Sequence, residues 1–141
     1  MRTPQAERAY VALGSNLGDR AEHLAAARTG LAALPGTRLL QASAVEETPP
    51  LDGMDQPPYL NQMVLLETTL TPGELLAGLH RLERSAGRTR GERWAPRTLD
   101  LDIVLFGDRQ VAEPGLTIPH PELPRRDFWR RELEELRAHD R

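Results

Sequence analysis

The sequence predicts an α+β protein in which an antiparallel sheet carries two helices on one face. Two observations predict this class. Segments with an apolar period of two alternate with segments of helical period, and their order is strand, helix, strand, strand, helix, strand. The length of 141 residues, with 39% apolar and 28% charged residues, suits one globular domain. We therefore expect a single domain over residues 1–141, with a cleft in its surface.

The first half of the pattern opens with the short apolar strand Ala9–Leu13 and a turn-rich segment. Asp19 is a candidate N-cap for the helix that follows, and Pro35-Gly36 ends that helix. An extended segment over 39–48 comes next. The prolines and the glycine between 49 and 58 then predict a conformationally restricted loop.

The second half repeats this plan. A strand over 59–70 leads to Thr71-Pro72-Gly73-Glu74, which has the residues of a capping box with proline at the first helical position. The helix it opens ends near Gly87, and the clearest strand runs over 98–106. This order is that of a ferredoxin-like βαββαβ sandwich. A last helix is expected over 128–139, with Leu133 and Leu136 facing inward.

The composition excludes several classes of function. All 18 basic residues are arginine, which excludes a Walker-type phosphate loop and Schiff-base lysine chemistry. A net charge of −3 argues against nucleic acid as a partner, and the apolar runs are too short to cross a bilayer. The absence of cysteine leaves no disulfide framework, and residues 1–9 have no secretory h-region. We expect a cytoplasmic monomer.

The carboxylates of Asp100 and Asp102 are the first candidates for chemistry. Residues two apart in a strand face the same way, with Cα atoms roughly 6.5–7 Å apart, and such a pair suits Mg²⁺. A bare D-x-D strand is more often an exposed, solvated face. Four upstream arginines and a downstream histidine change that balance, because a polyphosphate site needs carboxylates for the metal and guanidinium groups for the phosphates. The residues concerned are Arg88, Arg90, Arg93, Arg97 and His120.

Five motifs together resemble one family, 6-hydroxymethyl-7,8-dihydropterin pyrophosphokinase, which belongs to folate biosynthesis. They occur in the family's order and cover nearly the whole chain. The motifs are ALGSNLGDR (12–20), ETPPL (47–51), DQPPYLNQMV (55–64), GRTRGERWAPRTLDLDIVLFG (87–107) and TIPHPEL (117–123).

The resemblance implies transfer of pyrophosphate from MgATP to the pterin hydroxymethyl group, with AMP leaving. It implies that Asp100 and Asp102 hold two Mg²⁺ ions and that Arg88 and Arg97 stabilise the transferring group. The residues implied to contact ATP are Glu83, Arg90, Trp94, Ile103, Thr117 and His120. The family's fold agrees with the order of elements predicted above.

A pterin is a flat heterocycle that needs aromatic faces and polar groups at its edge. By the same resemblance, Tyr59 and Phe128 supply the faces. Asn61 and the backbone around Thr48, Pro49 and Leu51 contact the edge. Two other functions remain open: a Mg²⁺-dependent nucleotide hydrolase with the same carboxylates, and a non-catalytic binding module.

Three departures from the family pattern are visible. The arginine-rich loop is one residue shorter between Arg90 and Arg93, and Pro114-Gly115 stands where some members carry an arginine. After Phe128 the apolar pattern changes to Trp129-Arg130-Arg131-Glu132, and we expect a domain shortened at its C-terminus. We expect reduced stability or a changed pterin wall from these departures.

Overall fold

The structure is a computed structural model that describes residues 5–49, 57–86 and 99–139. Seven strands, three α-helices and one 3₁₀ helix occur within these residues. In chain order they are β1 (Glu7–Ser15), α1 (Arg20–Ala32), β2 (Thr37–Ala42), β3 (Glu46–Thr48), β4 (Tyr59–Thr68), α2 (Pro72–Ser85), β5 (Asp100–Phe106), β6 (Val111–Glu113), β7 (Leu116–Ile118), the 3₁₀ helix (Leu123–Arg125) and α3 (Asp127–His139).

The main sheet is antiparallel and has the strand order β2-β4-β1-β5, with β3 paired to the start of β4. The two strands that open the half units, β1 and β4, are therefore neighbours at its centre. This arrangement confirms the predicted ferredoxin-like α+β class. Within the described residues β5 lies at the edge of the sheet.

One face of the sheet is covered by α1 and α2 and is almost wholly apolar. Leu24 and Leu31 of α1 and Leu75 and Leu79 of α2 are buried against inward residues of the strands, such as Val11. Both predicted helix starts are confirmed. The Asp19 carboxylate accepts from the backbone N–H of Glu22, and Thr71 forms a reciprocal capping box with Glu74.

The other face is covered by α3, the helix expected at the end of the chain. Leu133 and Leu136 are buried as predicted, and they pack with Trp129, Met63 and other apolar side chains of the strands. The helices therefore cover both faces: α1 and α2 lie on one face, as expected, and α3 lies on the opposite one.

The predicted alternation along β5 breaks at Val104. Ile103 pairs with Val11 and Leu105 pairs with Tyr10, so Val104 is an extra residue, a β-bulge. The bulge reverses the facing of the residues after it. Leu105 packs with the α3 cluster, although strict alternation places it on the face of α1 and α2. Phe106 packs into the cluster on that face.

A hairpin of β6 and β7 follows β5 and leads to His120. Glu113 pairs with Leu116 across the two-residue turn Pro114-Gly115, and Gly115 has φ +77°. Proline followed by a residue of positive φ is the requirement of a type II turn. The departure noted at Pro114-Gly115 thus serves the turn of this hairpin. None of the α-helices among the described residues is long and apolar enough to span a membrane.

Candidate active site

The site lies on the α3 face of the sheet, at the end that α3 leaves uncovered. Gly14 of β1 pairs with Asn61 of β4 on one side and with Asp100 of β5 on the other. Directly paired residues of antiparallel strands project from the same face. Asn61, Gly14 and Asp100 therefore form a row across three strands. Neighbouring strands are spaced about 4.8 Å, so the Cα atoms of Asn61 and Asp100 are about 10 Å apart.

Asp100 and Asp102 project from this face, as their spacing predicts. Both residues are half-buried, whereas Leu101 and Ile103 on the opposite face are each 4% exposed. The rigid, apolar back of β5 fixes the direction of the two carboxylates. The strand therefore presents both acids to the same space beside Gly14.

Glu83, near the C-terminus of α2, holds the strand that carries the aspartates. It is 3% exposed, and its Oε2 accepts from the Leu101 backbone N–H at 2.8 Å. Leu101 lies between Asp100 and Asp102, so this bond fixes the backbone between the two acids. The structure thus places Glu83 behind the site, next to β5.

His120 meets the aspartates from the segment after β7. Its Nε2 lies 3.5 Å from Asp102 Oδ1, and its Nδ1 accepts from the Glu122 backbone N–H at 3.0 Å. The backbone N–H of His120 donates to the backbone carbonyl of Val104 at 3.0 Å. Because Nδ1 is an acceptor, a neutral imidazole carries its proton on Nε2, toward Asp102.

The residues predicted to contact the pterin edge lie on the opposite side of Gly14 from Asp100. The Asn61 Nδ2 donates to Thr48 Oγ1 at 2.5 Å, and Thr48 pairs with Tyr59 across β3 and β4. Pro49 follows with its surface exposed. The absence of a side chain at Gly14 keeps this row open: an added Cβ would lie 3.4 Å from Asn61 Oδ1 and 3.5 Å from Tyr59 Cδ1.

The ALGSNLGDR motif supplies two residues whose roles the sequence reasoning missed. Asn16 Nδ2 donates to the Pro57 carbonyl at 3.3 Å, and Arg20 Nη1 donates to the Pro58 carbonyl at 2.8 Å. Arg20 also lies 3.0 Å from the Glu47 carboxylate. The loop between β1 and α1 therefore ties down the chain that enters β4 at Tyr59. Asparagine and arginine within a turn-rich motif were the available signal.

The start of α3 brings an aromatic pair toward the site. Phe128 is half-buried and packs at 6.3 Å, ring centre to ring centre, against Trp129, which is 2% exposed. Trp129 in turn stands perpendicular to the His120 ring at 4.9 Å. The buried indole of Trp129, the first residue of the changed family pattern, therefore supports Phe128.

Besides Glu83, two predicted ATP contacts lie apart from the row. The side chain of Ile103 is buried in the core beneath α1 and α2, so a nucleotide contact at this position falls to its backbone. Thr117 is exposed on β7, across from Ala112. Both contacts stay predictions. The calls on Arg88, Arg90, Trp94, Arg97 and Leu51 concern residues outside those that the structure describes.

A buried acid lies farther along the same face. Glu132 of α3 is 1% exposed, and neither carboxyl oxygen has a hydrogen-bond partner among the described residues. Burial, followed by repulsion from Glu46, raises its pKa to about 8, against a smaller lowering by Arg131 and a further increase from Glu135. This face therefore contains a carboxyl group that burial keeps protonated near neutral pH.

The donor set suits a hard divalent cation. Within residues 5–49, 57–86 and 99–139, no three acidic, histidine or cysteine side chains converge as a ready metal cage. Two half-exposed carboxylates on one strand fit Mg²⁺, which retains waters and takes phosphate oxygens as further ligands. A crevice of about 310 Å³ between α1 and α2 lies on the other side of the sheet, away from both acids.

Comparison with known proteins bears directly on this arrangement. The profile of the 7,8-dihydro-6-hydroxymethylpterin-pyrophosphokinase (HPPK) family matches residues 10–138. Three relatives named 2-amino-4-hydroxy-6-hydroxymethyldihydropteridine pyrophosphokinase are similar to the chain. That of Haemophilus influenzae is 44% identical over 120 residues, which cover 85% of this chain and 75% of the relative.

The relative from Pseudomonas aeruginosa is 44% identical over 122 residues, 86% of this chain and 75% of its own. The relative from Bacillus subtilis is 41% identical over 128 residues, 91% of this chain and 77% of its own. These matches confirm the resemblance that the motifs indicated. The chain belongs to the 7,8-dihydro-6-hydroxymethylpterin-pyrophosphokinase family.

Proposed function

We propose that the chain transfers pyrophosphate from ATP to the hydroxymethyl group of 6-hydroxymethyl-7,8-dihydropterin, releasing AMP, in folate biosynthesis. Membership of the family supports this activity. The observation that carries it is the row across three strands, in which Gly14 separates Asn61 from Asp100. The amide proposed to bind the heterocycle and an acid proposed to bind the cation thus lie on one face of the sheet, as a reaction between two substrates requires.

The nucleotide half of the proposal assigns Asp100 and Asp102 to two Mg²⁺ ions. Bound there, the ions would neutralise and orient the ATP phosphates. The two carboxylates stay in place because the apolar side of β5 is buried and because Glu83 holds the intervening N–H. His120, with Nε2 directed at Asp102, is assigned to the phosphates or ribose. The same half of the proposal includes Arg88, Arg90, Trp94, Arg97, Ile103 and Thr117.

The pterin half assigns recognition of the ring edge to Asn61. Its bond to Thr48 fixes the orientation of the amide, so that the oxygen remains on the side of Gly14. Tyr59 and Phe128, on the same side of the sheet, are assigned to the two ring faces. Pro49 and Leu51 complete the proposed wall.

The reaction asks little covalent chemistry of the protein. The pterin hydroxymethyl oxygen attacks the β-phosphorus of ATP, the bond from that phosphorus to the α-phosphate oxygen breaks, and AMP leaves with that oxygen. The chain contributes mainly by holding two substrates in line and by excluding water. Arg88 and Arg97 are proposed to balance the charge that develops during transfer.

The direct test measures AMP release from MgATP with and without 6-hydroxymethyl-7,8-dihydropterin. We expect release only with the pterin, and a loss of about 10³-fold in Asp102→Asn and Asp100→Asn, because the bound metal supplies several kcal/mol. Asp108→Asn, an exposed acid in the turn after β5, is the matched control and should keep full activity.

The alternatives give different results in this assay. Release of AMP or phosphate without pterin would identify a nucleotide hydrolase, and tight pterin binding without turnover would identify a binding module. Full activity in both aspartate variants would overturn the metal assignment. A monomeric state, a cytoplasmic location and one domain over residues 1–141 remain predictions; sedimentation at several concentrations tests the first.

A further inference from the structure

A chain of contacts links α3 to the proposed metal-binding acids. The Arg126 guanidinium stacks over the Trp129 ring at 4.4 Å. The Trp129 ring stands at 90° to the His120 imidazole, with the ring centres 4.9 Å apart. His120 Nε2 then lies 3.5 Å from Asp102 Oδ1. Trp129 is thus a residue of α3 that contacts the histidine.

The backbone alone does not hold the imidazole in place. The N–H of Glu122 donates to Nδ1, and this bond selects the side of the ring that faces Asp102. One hydrogen bond at a ring atom leaves the imidazole able to rock about that atom. A side chain packed against the ring removes this freedom, and the Trp129 indole packs against it.

Trp129 is itself rigidly held. It is 2% exposed and is among the largest fully buried side chains of the described residues. Arg126 stacks on its ring, and Phe128 packs beside it. Leu133 and Leu136 of the same helix belong to the same buried cluster as Trp129. A side chain fixed on several sides can transmit the position of α3 to a neighbouring ring.

We infer that Trp129 is a positioning residue for the phosphoryl-transfer site, where its indole holds the His120 imidazole against the Asp102 carboxylate. The inference rests on the proposed function only for the consequence in catalysis. The positioning itself is a property of the substrate-free protein. A purely structural Trp129 would lower stability without acting through His120.

The first experiment measures the substrate-free protein. Long-range ¹H–¹⁵N spectra of the imidazole, at a pH where the ring is neutral, report which nitrogen carries the proton. We expect the Nε2–H form in both the parent and Trp129→Leu, because the Glu122 N–H selects it, and a more mobile imidazole in Trp129→Leu, measured as lower order parameters of the His120 ring. Leu136→Ala, which truncates a buried side chain of the same cluster, should keep the ring as rigid as in the parent. Unchanged order parameters of the His120 ring in a folded Trp129→Leu would overturn the inference.

The second experiment is a double-mutant cycle with His120→Ala. We expect Trp129→Leu to lower kcat by about tenfold, or about 1.4 kcal/mol, in the parent. The same change should have little effect in the His120→Ala background, because the residue it positions is then absent. Trp129→Phe, which keeps a ring, should restore part of the loss.

The outcomes separate the two proposals. Equal losses of kcat in both backgrounds would overturn the positioning role and leave the proposed function intact. No pterin-dependent AMP release in the parent would overturn the proposed function, and the order parameters of the imidazole would still decide the positioning. Melting temperatures of all variants show whether each protein is folded when it is assayed.

Discussion

The two faces of the sheet are built from the same strands but serve different purposes. The face under α1 and α2 is closed, and its buried side chains, such as Leu31 and Leu79, are mostly apolar, with Glu83 of α2 an exception. The face under α3 is divided: one end is packed with Met63, Trp129 and Leu136, and the other is left to the row of Asn61, Gly14 and Asp100. Stability is concentrated on the first face. On the second face, packing and the site share one surface.

The largest effect is expected when one buried leucine on each face is truncated to alanine and the stability and pterin KM of the two variants are compared. Leu79→Ala should cost about 2–5 kcal/mol of unfolding free energy, because Leu79 is fully buried and leaves a cavity. Pterin KM should change little, since α2 contacts the sheet from behind. Urea denaturation and steady-state kinetics measure the two quantities.

Leu133→Ala is the matched change on α3, and it should lose comparable stability. In addition it should raise the pterin KM, because the same helix carries Phe128. If the Leu79 variant raised this KM as much as the Leu133 variant, the two faces would not differ in the way proposed.

The next largest effect is expected from Glu132, the buried acid on the face under α3, which we call the shared face because packing and the site both use it. Below about pH 4.5 Glu132 is protonated in both the folded and the unfolded chain. Between 4.5 and about 8 the unfolded chain loses this proton and the folded chain retains it. Unfolding then releases a proton, so stability falls as pH rises, by up to roughly 1.4 kcal/mol per pH unit. Above pH 8 the loss levels off.

Glu132→Gln removes this titration and should flatten the dependence. We expect the variant to resemble the parent at pH 5 and to be more stable at pH 8 by up to roughly 4 kcal/mol, which is that slope taken over three pH units. Glu134→Gln, an exposed acid on the same helix, should leave the slope unchanged. Identical slopes for the parent and Glu132→Gln between pH 5 and 8 would contradict this account.

The smallest effect is expected at the floor of the site. Gly14→Ala adds a methyl group that meets Asn61 and Tyr59 at ordinary contact distances, so the fold should tolerate it. The methyl group would project into the space shared by the substrates, and the pterin KM should rise roughly tenfold, or about 1.4 kcal/mol. Gly73→Ala, whose Cβ would touch nothing within 4 Å, is the control. An unchanged KM in Gly14→Ala would show that the substrates do not use this floor.

Much of the closed face followed from the sequence. The helical period of the two segments predicted α1 and α2, and Asp19 and Thr71 predicted where these helices begin. These features depend on contacts within one turn of helix. The resemblance to the family, based on five ordered motifs, predicts the candidate site residues.

The shared face was harder to predict. Glu132 lies within a run of charged residues, and nothing in that run predicts that its side chain is buried. The alternation of apolar residues along β5 is regular in the sequence, but the bulge at Val104 interrupts it. Trp129 reaches His120 only because α3 packs across the end of β5. Such contacts join residues on different elements, and local periodicity contains no information about them.

By itself, the sequence determined the order of the four strands and two helices of the βαββαβ unit, the facing of Asp100 and Asp102, and the family, but not the division of 39–48 into β2 and β3 or the β6–β7 hairpin. These follow from the period of two in a strand and from motifs that lie within short stretches. Only the tertiary structure decided that Gly14 separates Asn61 from Asp100, that His120 meets Asp102, and that Trp129 stands behind it. The physical reason is that these residues are brought together by the strand order β2-β4-β1-β5 and by the docking of α3.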